Sequence, residues 1–171
     1  GVPEDLREAF IQNPSYSTSQ ETVLVEALAA LEGTDERTAF IEAAAEADSE
    51  DEAHTYRSMA QMMRGMAGRT GGIERIVRVQ GGVAARTESG ELIVPVRADH
   101  ALWTQRVAAF AEAIAREAGG DPGAARARIV FSGSVSPAAR EGLESLGLAV
   151  GEAGLEDPAP PGGAPESGEA P

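Results

Sequence analysis

Apolar residues recur at three- and four-residue intervals through the first 70 positions and at two-residue intervals soon after, so the chain reads as helices followed by strands. A short helix is expected from Glu4 to Gln12, stopped by Asn13-Pro14. Thr18-Ser19-Gln20-Glu21 has capping-box spacing and opens a second helix to about Glu32, closed by Gly33, with Leu24, Ala27, Leu28 and Leu31 on one face. A third runs from about Asp35 to Ala47 with Phe40, Ile41 and Ala44 inward. Ser49-Glu50-Asp51-Glu52 is a second capping box, and the helix it opens to about Met66 turns Ala53, Tyr56, Ala60, Met63 and Ala67 inward. The short connections at Gly33-Thr34 and Asp48-Ser49 predict antiparallel neighbours.

From Gly71 the period becomes two. Ile73, Arg75, Val77 and Val79 alternate with Glu74, Ile76 and Arg78, which predicts a strand broken at Gly81-Gly82. Val83–Thr87 and Glu91–Val96 form a hairpin through Glu88-Ser89-Gly90, with Pro95 placing the second arm at a sheet edge or a bend. Asp99 caps a long helix to about Ala118, whose stripe of Trp103, Val107, Phe110 and Ile114 puts Trp103 and Phe110 in the core. After the turn at Gly119–Gly123, Arg128–Ser132, Ser136–Leu146 and Leu148–Val150 read as strand, helix and strand. The expected class is α+β: an N-terminal helical part of about four helices, then a small mixed sheet built from a β-hairpin and a C-terminal β-α-β unit. Residues 1–70 form the helical part and 71–151 a small α/β part packed on it as one domain. Residues 152–171, dense in Pro, Gly and Glu, are expected to be a disordered acidic tail.

Composition narrows the classes. The 171 residues carry 28 acids and 14 bases, a formal charge of −14, and every base is Arg. The tail holds five acids and no Arg, so the rest is acidic by nine charges in its own right. Such a surface repels phosphate backbones, and no nucleic-acid partner is expected. Disulfides, Cys-based zinc sites and thiol chemistry are excluded by the lack of Cys. No apolar run approaches the roughly 20 residues that cross a bilayer, so no membrane insertion is expected of this segment. The all-Arg basic set, with abundant Ala, Gly and Pro, suits GC-rich coding; salt adaptation would also favour acid over Lys, but the acids are mostly Glu, and the codon reading is preferred. The chain begins at Gly1 rather than Met, which leaves room for a segment upstream.

Candidate chemistry concentrates in Phe131-Ser132-Gly133-Ser134-Val135-Ser136-Pro137, where a strand ends in a Ser/Gly loop and feeds a helix N-terminus. Ser132, Gly133, Ser134 and Ser136 offer hydroxyls and backbone N–H groups at the positive end of a helix dipole, and Arg128 and Arg140 add charge, so an anion is the ligand such a loop would take. The plainer account makes Ser136 an N-cap with Pro137 at the favoured first position. The stretch FSGSVSPAAREGLESLGLAV resembles the opening β-α-β of a phosphopeptide-binding BRCT repeat, in which a Ser-Gly pair after the first strand helps hold a phosphate. Ser132-Gly133 take the matching positions. The resemblance spans about 20 residues, and where that family continues with further strands and helices this chain enters its tail, so the family is not assigned.

Other motifs read as structure. Met59, Met62, Met63 and Met66, with His54 a turn upstream, have spacing that suits Cu(I), but a Met stripe is first a core or helix-contact feature. Asp99-His100 and His54 lie near acids without forming any triad, zinc or phosphate-loop motif. Arg64, Arg69, Arg75, Arg78 and Arg86 make a locally basic stretch suited to pairing with the chain's own acidic helices. No catalytic residue, metal or cofactor is therefore assigned. The sequence points to a non-enzymatic protein-interaction or scaffold module contacting a protein partner through its helical half, with a small anionic-ligand or phospho-ligand binder as the alternative. Oligomeric state and compartment are not legible in it.

Overall fold

The computed structural model describes residues 2–67, 72–119 and 127–153. Four helices come first: α1 (Glu4–Ile11), α2 (Thr18–Ala29), α3 (Arg37–Ala45) and α4 (Glu50–Ala67). Strands β1 (Ile73–Val79), β2 (Gly82–Thr87) and β3 (Leu92–Val96) follow, then β4 (His100–Ala101), α5 (Gln105–Gly119), β5 (Ala127–Phe131), β6 (Ser134–Val135), α6 (Pro137–Ser145) and β7 (Ala149–Glu152). The class is α+β. The sheet is mixed, in the order β1-β2-β3-β5-β7, with β1, β2 and β3 antiparallel and β3, β5 and β7 parallel. A second, two-stranded sheet pairs β4 with β6.

The central strands carry continuous apolar runs because both faces are covered. Ile93 and Val130 join Phe40, Leu24 and Met63 in a core under α1–α4. On the opposite face Leu92, Val94, Ile129 and Phe131 pack with Ala111, Ile114 and Leu143 beneath α5 and α6. Each such fully buried aliphatic side chain contributes about 1.5–3 kcal/mol. All four Met residues are buried on α4, so the Met stripe is core.

Several expected details move. The capping box of α2 is set by Ser17, whose hydroxyl accepts from the Gln20 N–H while Gln20 reaches back to the Ser17 N–H, one residue before the expected Thr18. The closest helix pairs are α2 with α4 and α1 with α3 rather than chain neighbours. The α1–α2 linker accounts for this: Asn13, Ser15 and Tyr16 donate from their side chains to the carbonyls of Ala44, Ala45 and Ala47, seating α1 on the end of α3.

A β-bulge between Ile73 and Arg75 breaks the alternation of β1, so that Ile73 and Ile76 share the helical face while Val77 and Val79 face α5. Pro95 lies in an interior strand, not an edge strand. It is tolerated because β2 pairs with β3 only at Leu92 and Ile93, leaving Pro95 a ladder with β5 alone. The free edge of β1 is covered by a single bridge opposite Arg75, in which the Asp35 N–H donates to the Glu74 carbonyl and the Asp35 carbonyl accepts from the Ile76 N–H.

The helix expected to be capped by Asp99 starts five residues late. His100–Ala101 pairs with Ser134–Val135 instead, and Thr104 caps α5 through its hydroxyl to the Val107 N–H. Trp103 and Phe110 are thus half-buried rather than core, the Trp103 ring lying against the backbone of α6 at Gly142. Glu152 belongs to β7, and the Ala153 N–H bonds the Phe131 carbonyl, so the sheet reaches into the expected tail. The turn expected at Gly119–Gly123 lies outside the described residues from 120 on, as do residues 68–71 and 154–171. Among the described residues, no helix is long and apolar enough to cross a membrane.

Candidate functional site

The parallel strands end together at one edge of the sheet, the side on which open α/β sheets bind ligands. Ser132, Gly133, Ser134 and Ser136 all lie there, following β5 into α6. Arg140 joins them from the first turns of α6, whereas Arg128 sits at the start of β5, in register with Ile93 and Ala149, and pairs with Glu91 at 3.0 Å. The structure brings five of the six expected residues to one edge and leaves Arg128 at the other.

The loop's polar groups are largely engaged within the fold. The Ser132 hydroxyl donates to the Ala98 carbonyl at 3.1 Å and accepts from the Ala98 N–H at 2.9 Å. Gly133 runs so close to the β3–β4 connection that a Cβ there would stand 2.2 Å from the Asp99 carbonyl oxygen. Ser136 caps α6, accepting from the Ala139 N–H at 3.2 Å, with Pro137 in the first turn. The anion at this helix N-terminus is the chain's own: a Glu152 Oε1 accepts from the Val135 N–H at 3.3 Å and from Arg140 at 2.7 Å.

Ser134 is exposed, its hydroxyl 2.7 Å from the His100 Nδ1. No carboxylate among the described residues bonds this imidazole, so the pair lacks the third group that orients a catalytic base. His54 bonds Arg57 at 3.2 Å. Burial, with the charges of Arg97 and Arg57, holds its imidazole below the ordinary value against an opposing pull from Asp51, which suits a neutral acceptor. Among the described residues no three His, Asp or Glu side chains converge as a metal site. The basic stretch is partly spent internally: Arg78 binds Glu46 at 2.6 Å, and Arg86 donates to the Gly90 carbonyl. Arg69 lies outside the described residues.

A groove of about 780 Å³ runs between α1 and α2, with the first turns of α3 at its base. Its floor is Phe10, Leu24 and Leu28, all buried. Val2, Ile11 and Val25 stand at its sides with 39%, 58% and 54% of their surface exposed. Glu21, Asp35, Glu36, Arg7 and Arg37 also line it. Sequence reasoning missed this groove because it sought the inward stripes. The available signal was the two apolar residues off those stripes, Ile11 beside Phe10 and Val25 beside Leu24. A smaller polar cavity of about 420 Å³, between the α1–α2 linker and α4, carries Arg57 and Glu50 as compensating charges.

Compared with family models, with curated proteins and with solved structures, the chain matches none.

Proposed function

We propose that this protein is a non-enzymatic interaction module that receives an apolar segment of a protein partner in the groove between α1 and α2. One observation carries the proposal. Of the four large apolar residues exposed among the described residues, Val2, Ile11 and Val25 line this one groove, and only Leu102 lies elsewhere. Single exposed apolar residues are ordinary, but three gathered over a buried apolar floor form the concave patch that marks binding surfaces.

The test uses Ile11→Glu and Val25→Glu. Both side chains are more than half exposed, so each substitution should shift stability by no more than about 0.5 kcal/mol. Affinity capture from the native source should lose its partner with either variant while circular dichroism and the thermal midpoint stay unchanged. Recovery of the same partners by both variants would refute the groove.

A further inference from the structure

We propose that the segment docking in the α1–α2 groove is a cationic amphipathic helix, with apolar anchors at positions i, i+3 or i+4, and i+7 flanked by Lys or Arg. The inference rests on the groove reading above and names the chemistry of its occupant.

Charge is the first argument. Residues 2–38, which build the groove, carry eight carboxylates and two Arg. Arg7 pairs with Glu4; Arg37 donates to the Leu28 carbonyl at 3.2 Å and keeps its charge, so that one cation faces three carboxylates in the groove lining. Glu21, Asp35 and Glu36 line the groove without an ion-pair partner among the described residues. An apolar trough edged by unpaired carboxylates favours an apolar ligand with a positive margin, because opposite potentials steer encounter and like charges penalise wrong partners. The same field disfavours nucleic acid and anionic lipid surfaces.

Shape is the second. The walls are helices of 8 and 12 residues, roughly 12 and 18 Å long. Their backbones are satisfied internally, so the trough has no strand edge to which an extended peptide could add. A helix of two to three turns laid along such a trough presents three anchors over about 10 Å. Phe10, Leu24 and Leu28 form the floor that those anchors meet, and Ile11 and Val25 flank them.

The experiment selects binders to the intact chain from a displayed library of peptides of about 16 residues, long enough to hold a helix. The library fixes Leu, Ile, Phe or Met at the anchors and randomises the other positions among Lys, Glu, Gln, Ser and Ala. Binders are scored as groove-dependent when Val25→Glu abolishes them; that change adds negative charge, so attraction to net charge alone survives it. The expected result is Lys enriched over Glu among groove-dependent binders, affinity falling about tenfold from low to physiological salt, and the preference reversed by Glu21→Lys with Glu36→Lys. Groove-dependent binders with neutral or acidic flanks, indifferent to that double reversal, would overturn the cationic inference and leave the groove standing. A selection yielding no groove-dependent binder, or only cationic peptides that Val25→Glu retains, would overturn both.

Discussion

The Tyr16 hydroxyl donates to the Ala44 carbonyl at 2.9 Å, joining two residues 28 positions apart. With Asn13 and Ser15 bonding Ala45 and Ala47, the α1–α2 linker serves as the C-terminal cap of α3, whose last carbonyls have no partner within the helix. It also fixes the spacing of α1 from α2, and hence the width of the groove. Tyr16→Phe removes the shorter of the two bonds to the buried Ala44 carbonyl, leaving it only the Ala47 N–H at 3.2 Å. It should cost about 1–2 kcal/mol, lowering the thermal midpoint by roughly 3–6 °C in a calorimetric scan.

The same residue predicts an alkaline limit to stability. Burial first, then the charges of Tyr56 and Glu52, holds the Tyr16 hydroxyl well above the ordinary phenol range. Tyr56 is raised as well, chiefly by burial, with Arg78 opposing. An unfolded tyrosine ionises near pH 10 while the folded one stays protonated, so the unfolded state binds fewer protons above that pH. The stability these groups contribute is complete below about pH 10 and falls as pH rises beyond it. Urea midpoints measured across this range should drop, and drop less steeply in Tyr16→Phe; equal slopes would contradict the assignment.

Two glycines should respond differently to alanine. A Cβ at Gly133 meets backbone, the Asp99 carbonyl oxygen at 2.2 Å and that of Ala98 at 2.6 Å, and neither can turn aside. Gly133→Ala should therefore cost about 3 kcal/mol or more, or part the β4–β6 pair. A Cβ at Gly142 meets the Trp103 ring at 2.5 Å, and that half-buried ring can swing outward. Gly142 also sits within α6, where alanine regains about 1 kcal/mol of helix propensity. Gly142→Ala should be destabilised by roughly 1 kcal/mol at most and show a red-shifted Trp103 emission.

What the sequence disclosed follows from the range of the forces involved. The helices were legible because Leu24, Ala27 and Leu28, or Phe40 and Ala44, recur at helical spacing, and both the α+β class and the β2–β3 hairpin are local in origin. The details that moved depend on distant pairing. His100 and Ala101 look like the first turn of a helix until Ser134 and Val135 arrive beside them from 34 residues downstream. The bulge at Glu74 is invisible without its partner strand, and Pro95 marks an edge only if β2 is assumed to run the full length of β3. At the Ser132–Ser136 loop the local chemistry was readable, but its engagement by Ala98, Asp99 and Glu152 was not, since those groups lie up to 35 residues away.

The Met stripe of α4 supplies a packing test. Met63 is fully buried beside Met59 and Met62 in the core under the helical layer. Met63→Ala should cost about 2–5 kcal/mol, whereas Met63→Leu, which conserves volume, should cost less than about 1.5 kcal/mol. Denaturant titrations of the two variants would check the ratio, and near-equal losses would count against the core assignment.

The Glu152 carboxylate makes the anion-binding alternative testable at its own site. It accepts from the Val135 N–H and from Arg140, thereby placing a negative charge where an external phosphate would need to sit. Arg140 and Glu152 are each about two-fifths exposed, at 41% and 42%, so solvent screens their pairing and Glu152→Gln should cost well under 1 kcal/mol. The substitution nevertheless removes the resident charge from beside Arg140 and the Val135 N–H, the two donors that hold it. Amide shifts of residues 133–139 on phosphate titration should therefore be small in the natural chain and grow several-fold in Glu152→Gln. Strong, saturable shifts in the natural chain would mean that phosphate displaces the carboxylate, making the loop a ligand site in its own right. Absence of shifts in both proteins would show that the engaged hydroxyls of Ser132 and Ser136 leave too few donors for any anion.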